Sequence, residues 1–317
     1  MRLGIFGMKA SVKGYVLGAV AAISYGTNPL FAVPLYEMGL SVGSVLFYRY
    51  AFAALLLGLL MCVRGDSFWL SLRQVLLMVI QGILFASSSL GLFKAYNYMD
   101  VGLASTMLFV EPVIIALILW IFYRQRVSVP TCIAIVVAIT GVALIANPGA
   151  GSYVTGTGVF FVMLSALSYS IYMVLINKTS LQQLSGTTLT FYSLLFGIPV
   201  FIVQLNGLTQ LQGIPMNLPG ISCVAGISIF PTIVSILTVA IAIQLIGSVP
   251  VSILGALEPV TGVLVGTLVF GETLTVKATI GIVLILASVF ILVTHPASLL
   301  RYGKSVLHHL RLYHNRS

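Results

Sequence analysis

The stretches VEPVIIALIL (110–119) and LEPVTGVLVG (257–266) each place a glutamate and a proline in the middle of an apolar run. Both residue types are costly in a membrane helix. A charged side chain at the bilayer centre costs about 2.5–3.5 kcal/mol on insertion scales, and a proline removes a backbone hydrogen-bond donor. Because this costly pair occurs twice, 258 − 111 = 147 residues apart, we interpret the chain as two copies of one unit.

The composition is that of a membrane protein. Of the 317 residues, 59% are hydrophobic and 7% are charged, whereas about a quarter of the residues of soluble domains are charged. Apolar runs recur from residue 14 to residue 294, each near the roughly 20 residues that a helix needs to cross a bilayer. They predict an all-α integral membrane protein with ten transmembrane helices, at 14–35, 42–63, 74–97, 101–123, 128–147, 156–177, 187–205, 219–246, 249–270 and 274–294.

The basic residues indicate how the chain is oriented. The formal net charge is +9, but lysines and arginines cluster in alternate loops and in the tail, which does not indicate nucleic-acid binding. The positive-inside rule places these segments in the cytoplasm. We therefore expect both termini on the cytoplasmic side of a bacterial inner membrane, with only Lys277 in a loop on the far side. The cytoplasmic set is Arg2, Lys9, Lys13, Arg64, Arg73, Arg124, Arg126, Lys178, Arg301, Lys304, Arg311 and Arg316.

Further matches relate the two halves. Spans 3 to 5 match spans 8 to 10 at an offset of 147, and the earlier spans match at an offset of 144. Five spans is an odd number, so the sequence predicts two inverted five-helix repeats, 14–147 and 156–294, followed by a basic amphipathic cytoplasmic tail, 295–317. Many secondary transporters have this architecture, with the substrate site where the repeats meet. Matched residues include Ser24-Tyr25 with Ser168-Tyr169, Phe47-Tyr48 with Phe191-Tyr192, and Ser105 with Ser252.

The runs FKAYNYMDVGLASTMLFVEPVIIALILWIFYRQRVSVPTCIAIVVAITGVALIANP (93–148) and IAIQLIGSVPVSILGALEPVTGVLVGTLVFGETLTVKATIGIVLILASVFIL (241–292) resemble the two copies in EamA-type carriers of the drug/metabolite transporter superfamily. Gly271-Glu272 matches the family's usual "GE", which the first half replaces with residues 123–126. The arginine in FYRYAFAALLLG (47–58) falls where such carriers often have one. The resemblance implies a ten-helix carrier of small organic metabolites, often an exporter, with no nucleotide-driven motor and no cofactor.

The charged residues inside predicted spans include Arg49, Lys94, Glu111 and Glu258. Such residues face the bundle interior and are candidates for function. The glutamates lie about ten residues into their spans, which at about 1.5 Å per residue places them near mid-membrane. Each could couple protons or contact substrate, or could instead be a protonated group that joins two helices, and the sequence leaves both interpretations open.

Arg49 and Lys94 have no basic counterpart in the other repeat, and asymmetry of this kind is typical of a ligand site. The planar fork of Arg49 suits a substrate carboxylate, with Lys94 as a second cation. Alternatively, Arg49 neutralises Glu111, and Lys94 extends to the headgroups and pairs with Asp100. Two cations and two acids in one cavity would suit a zwitterion such as an amino acid.

Each Glu-Pro pair also predicts a kink that frees the carbonyls of Leu108 and Gly255. A freed carbonyl is tolerated in the membrane only against protein or water, so we expect these breaks to line a cavity. Asn28 precedes a third break. The other substrate-site candidates are the repeat-matched Tyr25, Tyr48, Tyr169 and Tyr192, and the hinge candidates are Pro29, Pro112 and Pro259.

We expect a secondary transporter that moves a small, amino-acid-like metabolite, in the direction of efflux, by alternating access and without ATP. The sequence has no HExxH motif, no metal-spaced Cys/His set and no histidine before His295, so it predicts neither an enzyme nor a metal site. A passive channel or facilitative permease for small metabolites or drugs is the alternative. The expected partners are a small-molecule substrate and the lipid bilayer, with protons open as a coupling ion, and the protein is a monomer or homodimer.

Overall fold

A computed structural model describes residues 10–95, 98–99, 104, 107–125, 127–146, 155–269 and 275–294. None of these residues lies in a β-strand, in agreement with the predicted all-α class. Several predictions concern residues outside this description: the tail 295–317, the Gly271-Glu272 pair, Asp100, Ser105, and the basic residues Arg2, Lys9 and Arg126.

The first half contains α1 (Ala10–Gly26), α2 (Asn28–Glu37), α3 (Val42–Arg64), α4 (Leu72–Ala95), α5 (Glu111–Tyr123) and α6 (Val129–Ala146). The second half contains α7 (Gly156–Lys178), a 3₁₀ turn (Ser180–Gln183), α8 (Gly186–Gln204), α9 (Leu218–Ser228), a π-helix (Ile229–Val234), α10 (Ser235–Ile246), α11 (Ser248–Leu254), α12 (Leu257–Val269) and α13 (Val276–Thr294).

Eight helical stretches among the described residues are long and apolar enough to cross a membrane, which makes the chain a multi-pass membrane protein. The predicted spans 101–123 and 128–147 correspond to shorter apolar helices, α5 and α6. The 13 residues of α5 extend only about 20 Å, against a hydrocarbon core of about 30 Å. The segment before α5 is described only in part, so the number ten remains a prediction.

Repeat-related serines begin the second span of each half. The Ser41 hydroxyl accepts a hydrogen bond from the backbone N–H of Ser44 at 3.3 Å, and the Ser185 hydroxyl accepts one from Thr188 at 3.1 Å. Both serines are helix N-caps, which satisfy N–H groups that have no partner within the helix. Ser41 and Ser185, which are 144 residues apart, therefore share their local structure as well as their residue type.

Much of the packing joins one half to the other. Helix α1 packs against α10 and α12, α7 packs against α4 and α5, α3 packs against α8, and α6 packs against α13. The first span of each half thus lies against the Glu-Pro helix of the other half. This arrangement brings α5 and α12 to the boundary between the halves.

Both Glu-Pro segments are closely packed at this boundary. A Cβ atom at Gly26 would lie 2.6 Å from the carbonyl oxygen of Glu258, so α1 and α12 approach this closely only because residue 26 is glycine. At the repeat-related position, the Ser170 hydroxyl donates to the carbonyl of Glu111 at 3.4 Å. Each Glu-Pro segment is therefore in contact with the first helix of the other half.

The predicted kinks are breaks between helices. Pro29, Pro112 and Pro259 each lie in the first turn of a helix that follows a non-helical residue or turn. The first turn tolerates proline because its missing N–H would have no partner within the helix. The Gly255 carbonyl, predicted to be free, accepts from the N–H of Glu258 at 2.9 Å. Each Glu-Pro pair thus begins a new helix instead of bending a continuous one.

Candidate functional site

A cavity lies between the two halves, beside both Glu-Pro pairs. It offers about 80 Å³ of space to the centre of a water molecule, several times the roughly 10–15 Å³ that one water needs. Both carboxylate residues, Glu111 and Glu258, line it. The two acidic side chains therefore border an open space and are not wedged between helices.

Repeat-related residues make up much of the cavity wall. Tyr25 and Tyr169 are related by the offset of 144, and the remaining pairs by the offset of 147. Because the walls derive from both copies, the cavity lies on the boundary that relates them. The pairs in the lining are Tyr25 with Tyr169, Ser88 with Ser235, Leu92 with Val239, Leu108 with Gly255, and Glu111 with Glu258.

Aromatic rings form one side of the cavity. The Phe85 ring lies 6.2 Å from that of Tyr169 and 5.1 Å from that of Tyr172, measured between centroids. Tyr169 and Tyr172 stack at 5.4 Å. Phe109 adds a further ring from the turn before α5. These contacts hold the rings in fixed positions, as expected of a preformed binding wall.

Serine hydroxyls provide the other polar surface. Ser88 contacts the Ser165 hydroxyl at 3.1 Å, and Ser89 contacts the Tyr50 hydroxyl at 3.1 Å. Ser235 and Ser252 complete the set that lines the cavity. None of these serines was predicted as a site residue, because single serines are common in membrane helices. The available signal was the pairing of Ser88 with Ser235 at the offset of 147.

Arg49 lies close to this cavity but does not line it. Its side chain is 1% exposed. Nε donates to Thr232 Oγ1 at 2.6 Å, Nη2 to the Pro231 carbonyl at 3.1 Å, and Nη1 to Asn28 Oδ1 at 3.3 Å. Its Cζ atom also lies 5.2 Å from the Tyr25 ring centroid. All three guanidinium nitrogens thus have protein partners, and Asn28 serves Arg49 at the break between α1 and α2.

The π-helix explains the position of Arg49. Pro231 within the π-helix has no N–H to donate, and the Ile227 carbonyl four residues earlier accepts instead from the Thr232 hydroxyl at 2.7 Å. Two carbonyls within the π-helix itself also accept from side chains of the first half. The Phe230 carbonyl accepts from the Ser24 hydroxyl at 2.6 Å, and the Pro231 carbonyl accepts from Arg49. The sequence shows the interrupting proline but not the π-helix, and therefore does not reveal the roles of Ser24 and Thr232.

Tyr48 and Tyr192 lie outside the cavity and hold two loops. The Tyr48 hydroxyl donates to the Gln212 carbonyl at 2.7 Å, and the Tyr192 hydroxyl donates to the Phe68 carbonyl at 2.7 Å. Gln212 precedes α9 and Phe68 precedes α4. Each tyrosine therefore fixes the loop that leads into the third span of the other half.

We expect Tyr48→Phe to loosen the loop 205–217, and Tyr192→Phe to loosen the loop 65–71. Losing one such hydrogen bond costs about 1 kcal/mol, which corresponds to about fivefold faster amide hydrogen exchange in the affected loop. Each variant is the control for the other, because the second loop should keep its wild-type exchange rate. Unchanged exchange in both loops would show that the tyrosines do not hold them.

Lys94 also lies outside the cavity. Its side chain is exposed, and Nζ lies 5.7 Å from the Phe161 ring centroid. Two residues along an α-helix correspond to a rotation of about 200°, so Lys94 points away from the face on which Leu92 lines the cavity. The structure therefore does not bring the two predicted cations into the cavity with the two acids.

The family of the chain identifies its class. The model of the EamA-like transporter family matches residues 12–147 and again residues 156–294. The chain belongs to this family, and so to the drug/metabolite transporter superfamily. It is an integral membrane transporter and not an enzyme.

Relatives from several organisms carry similar names. An "Uncharacterized transporter" of Archaeoglobus fulgidus is 26% identical over 77% of this chain and 86% of its own length. "Uncharacterized transporter YxxF" of Bacillus subtilis is 25% identical over 88% of this chain and 86% of its own. A solved structure titled "Crystal structure of protein" has a TM-score of 0.74 at 15% identity, covering 88% of this chain and 96% of that one, and it supports the fold alone.

Proposed function

We propose that this transporter is a secondary carrier that moves a small organic metabolite by alternating access. In this proposal ten transmembrane helices form two inverted repeats, 14–147 and 156–294, in the inner membrane of a bacterium, with both termini and the tail 295–317 in the cytoplasm. One observation supports it most directly: Glu111 and Glu258, from corresponding helices of the two halves, line one cavity between those halves. Substrate sites of inverted-repeat carriers lie at such a boundary.

The helix breaks support the proposed motion. In alternating access, one half rocks against the other around a fixed site. The breaks before Pro29, Pro112 and Pro259 interrupt helices next to that boundary. A hinge at such a break needs few backbone hydrogen bonds to change, because the bonds of the preceding helix have already ended. We therefore assign these three prolines to hinges.

The residues near the cavity divide into two groups. Glu111, Glu258, Tyr25 and Tyr169 line it and are the proposed contacts for substrate and for a coupling proton. Arg49, with Asn28, joins α2 and α3 to the π-helix. The proposed carrier is a monomer or a homodimer. The proposed substrate carries an amino group, as an amino acid does, and moves outward.

Flux through reconstituted vesicles tests the proposal. Vesicles containing the purified protein would be screened with labelled amino acids and amines, with and without a pH gradient. We expect saturable uptake, faster entry of label when unlabelled substrate is inside, and acceleration by a pH gradient. Flux that rises linearly with concentration and lacks this counterflow would indicate the passive channel instead. Lys94→Gln is a matched control, because Lys94 is exposed and outside the cavity.

A further inference from the structure

The charge of the cavity indicates what it binds. Two carboxylate residues line it, and no lysine or arginine is among the lining residues that the structure describes. The segments 96–97 and 100–106, most of which lie outside that description, contain no lysine or arginine in the sequence. The amino group of an amino-acid-like substrate therefore finds anionic partners here. Its carboxylate finds no cationic side chain among the described lining residues.

Arg49 does not alter this conclusion. Three of its five N–H groups already donate to Thr232, Pro231 and Asn28, and Arg49 is not among the described residues that line the cavity. Its positive charge still counts in the local balance. With both carboxylates ionised, these groups and the guanidinium give −2 + 1 = −1, and a net charge buried within a membrane protein is costly unless it is paired.

We propose that the substrate is an organic monocation, an inference that rests on the proposed function. The substrate is a protonated amine whose ammonium group binds between Glu111 and Glu258. There it competes with a proton. One monovalent cation, or one proton, brings the local balance to zero. Binding of either species excludes the other. Because each species excludes the other from the site, movement of the amine across the membrane in one direction is coupled to movement of protons in the opposite direction.

The rest of the lining suits an ammonium group with an apolar body. An ammonium has three N–H donors, and the hydroxyls of Ser88 and Ser235 add acceptors to the two carboxylates. Cations are also attracted to the faces of aromatic rings, which Phe85 and Tyr169 supply. An anionic ligand would face two carboxylates with only hydroxyl donors to offset them.

Competition between the amine and the proton predicts how the affinity for the amine changes with pH. The groups that face Glu111 and Glu258 are Tyr25 of α1, Tyr169 of α7 and, behind Tyr25, Arg49 of α3. The carboxylates bind the amine only when ionised. Amine affinity therefore falls as the pH is lowered, because protons then occupy the site, and amine binding at low pH releases a proton.

Ligands matched in shape but differing in charge test the proposal. Binding to the purified protein would be measured by calorimetry with leucinamide and phenylalaninamide as cations, leucine and phenylalanine as zwitterions, and their N-acetyl derivatives as anions. Titrations in two buffers of different ionisation enthalpy count the protons released. We expect at least one amide to bind about tenfold or more tightly than its amino acid, with up to one proton released per ligand and no binding of the anions.

Variants separate a direct role of the carboxylates from a structural one. Glu111→Gln and Glu258→Gln should each weaken amide binding by about tenfold and reduce the proton release, whereas Glu111→Asp and Glu258→Asp should retain more of both. Lys94→Gln should bind as the wild type does. Gel filtration and thermal unfolding in detergent would confirm that each variant is folded. A folded aspartate variant keeps the test informative if a glutamine variant is unstable.

Three results would overturn the inference: tighter binding of the zwitterion or anion in both series, amide binding that both glutamine variants leave unchanged, or no amide binding by folded wild-type protein. None of these would remove the proposed function if vesicles still show saturable counterflow of some metabolite. Loss of counterflow for every metabolite would instead remove the proposed function, whichever ligand the purified protein prefers.

Discussion

The double variant Glu111→Gln and Glu258→Gln is expected to abolish transport driven by a pH gradient, with a loss of about a hundredfold or more in initial rate. Each glutamine keeps the size of the side chain and its capacity for hydrogen bonds, but it can neither take up a proton nor carry a negative charge. Each single change should cost about tenfold, equivalent to about 1.4 kcal/mol. The measurement is initial flux into vesicles with a defined pH difference.

Ser170→Ala provides a matched control for this experiment. The Ser170 hydroxyl donates to the backbone carbonyl of Glu111 and not to its carboxylate, so its removal leaves both carboxylates in place. We expect a change of less than about twofold, since this long hydrogen bond contributes little. A double glutamine variant that transports within about twofold of the wild type would exclude the carboxylates from coupling.

Arg49→Met is expected to lower the free energy of unfolding by about 1–3 kcal/mol, the cost of leaving buried acceptors without a hydrogen-bond donor. The substitution leaves the Pro231 carbonyl and Asn28 Oδ1 without the donor that each now has. Arg49→Lys should lie between wild type and Arg49→Met, because lysine keeps the charge but has no planar fork. Denaturant unfolding in detergent, followed by circular dichroism, measures the difference.

Arg64→Met is the control for charge alone. Arg64 is exposed at the end of α3, and an exposed charge contributes less than about 1 kcal/mol. In addition, amide exchange within the π-helix 229–234 should rise in the Arg49 variant and stay unchanged in the Arg64 variant. Equal stability of Arg49→Met and wild type would show that the guanidinium does not hold the π-helix.

The repeat made the acidic pair predictable. Glutamate followed by proline is rare enough in apolar sequence that a second copy at a fixed offset indicated two related positions, and both carboxylates line the same cavity. The repeat also related Tyr25 to Tyr169, and both line the cavity. It also selected Tyr48 and Tyr192, which hold loops instead, because an offset relates two positions without showing which face of a helix they share.

The cations were harder to place. The environment of Arg49 depends on a π-helix about 180 residues away in the sequence, and the hydrophobic pattern does not distinguish a π-helix from the α-helices around it. The position of Lys94 depends on which face of α4 lines the cavity. The sequence does not show that face. The breaks before Pro112 and Pro259 were likewise predicted as kinks, because sequence locates a proline without showing where the preceding helix ends.

Thiol labelling at two repeat-related serines tests most directly whether a water-filled cavity lies between the halves. The starting variant would lack Cys62, Cys132 and Cys223. Single cysteines would then replace Ser88, Ser235 or Leu117. Leu117 is the control, because it is exposed on α5 and does not line the cavity. We predict that a small water-soluble thiosulfonate modifies cysteine at 88 and at 235 but not at 117, and that one amine ligand protects both. Failure of both cavity cysteines to react in folded protein would contradict a shared aqueous cavity.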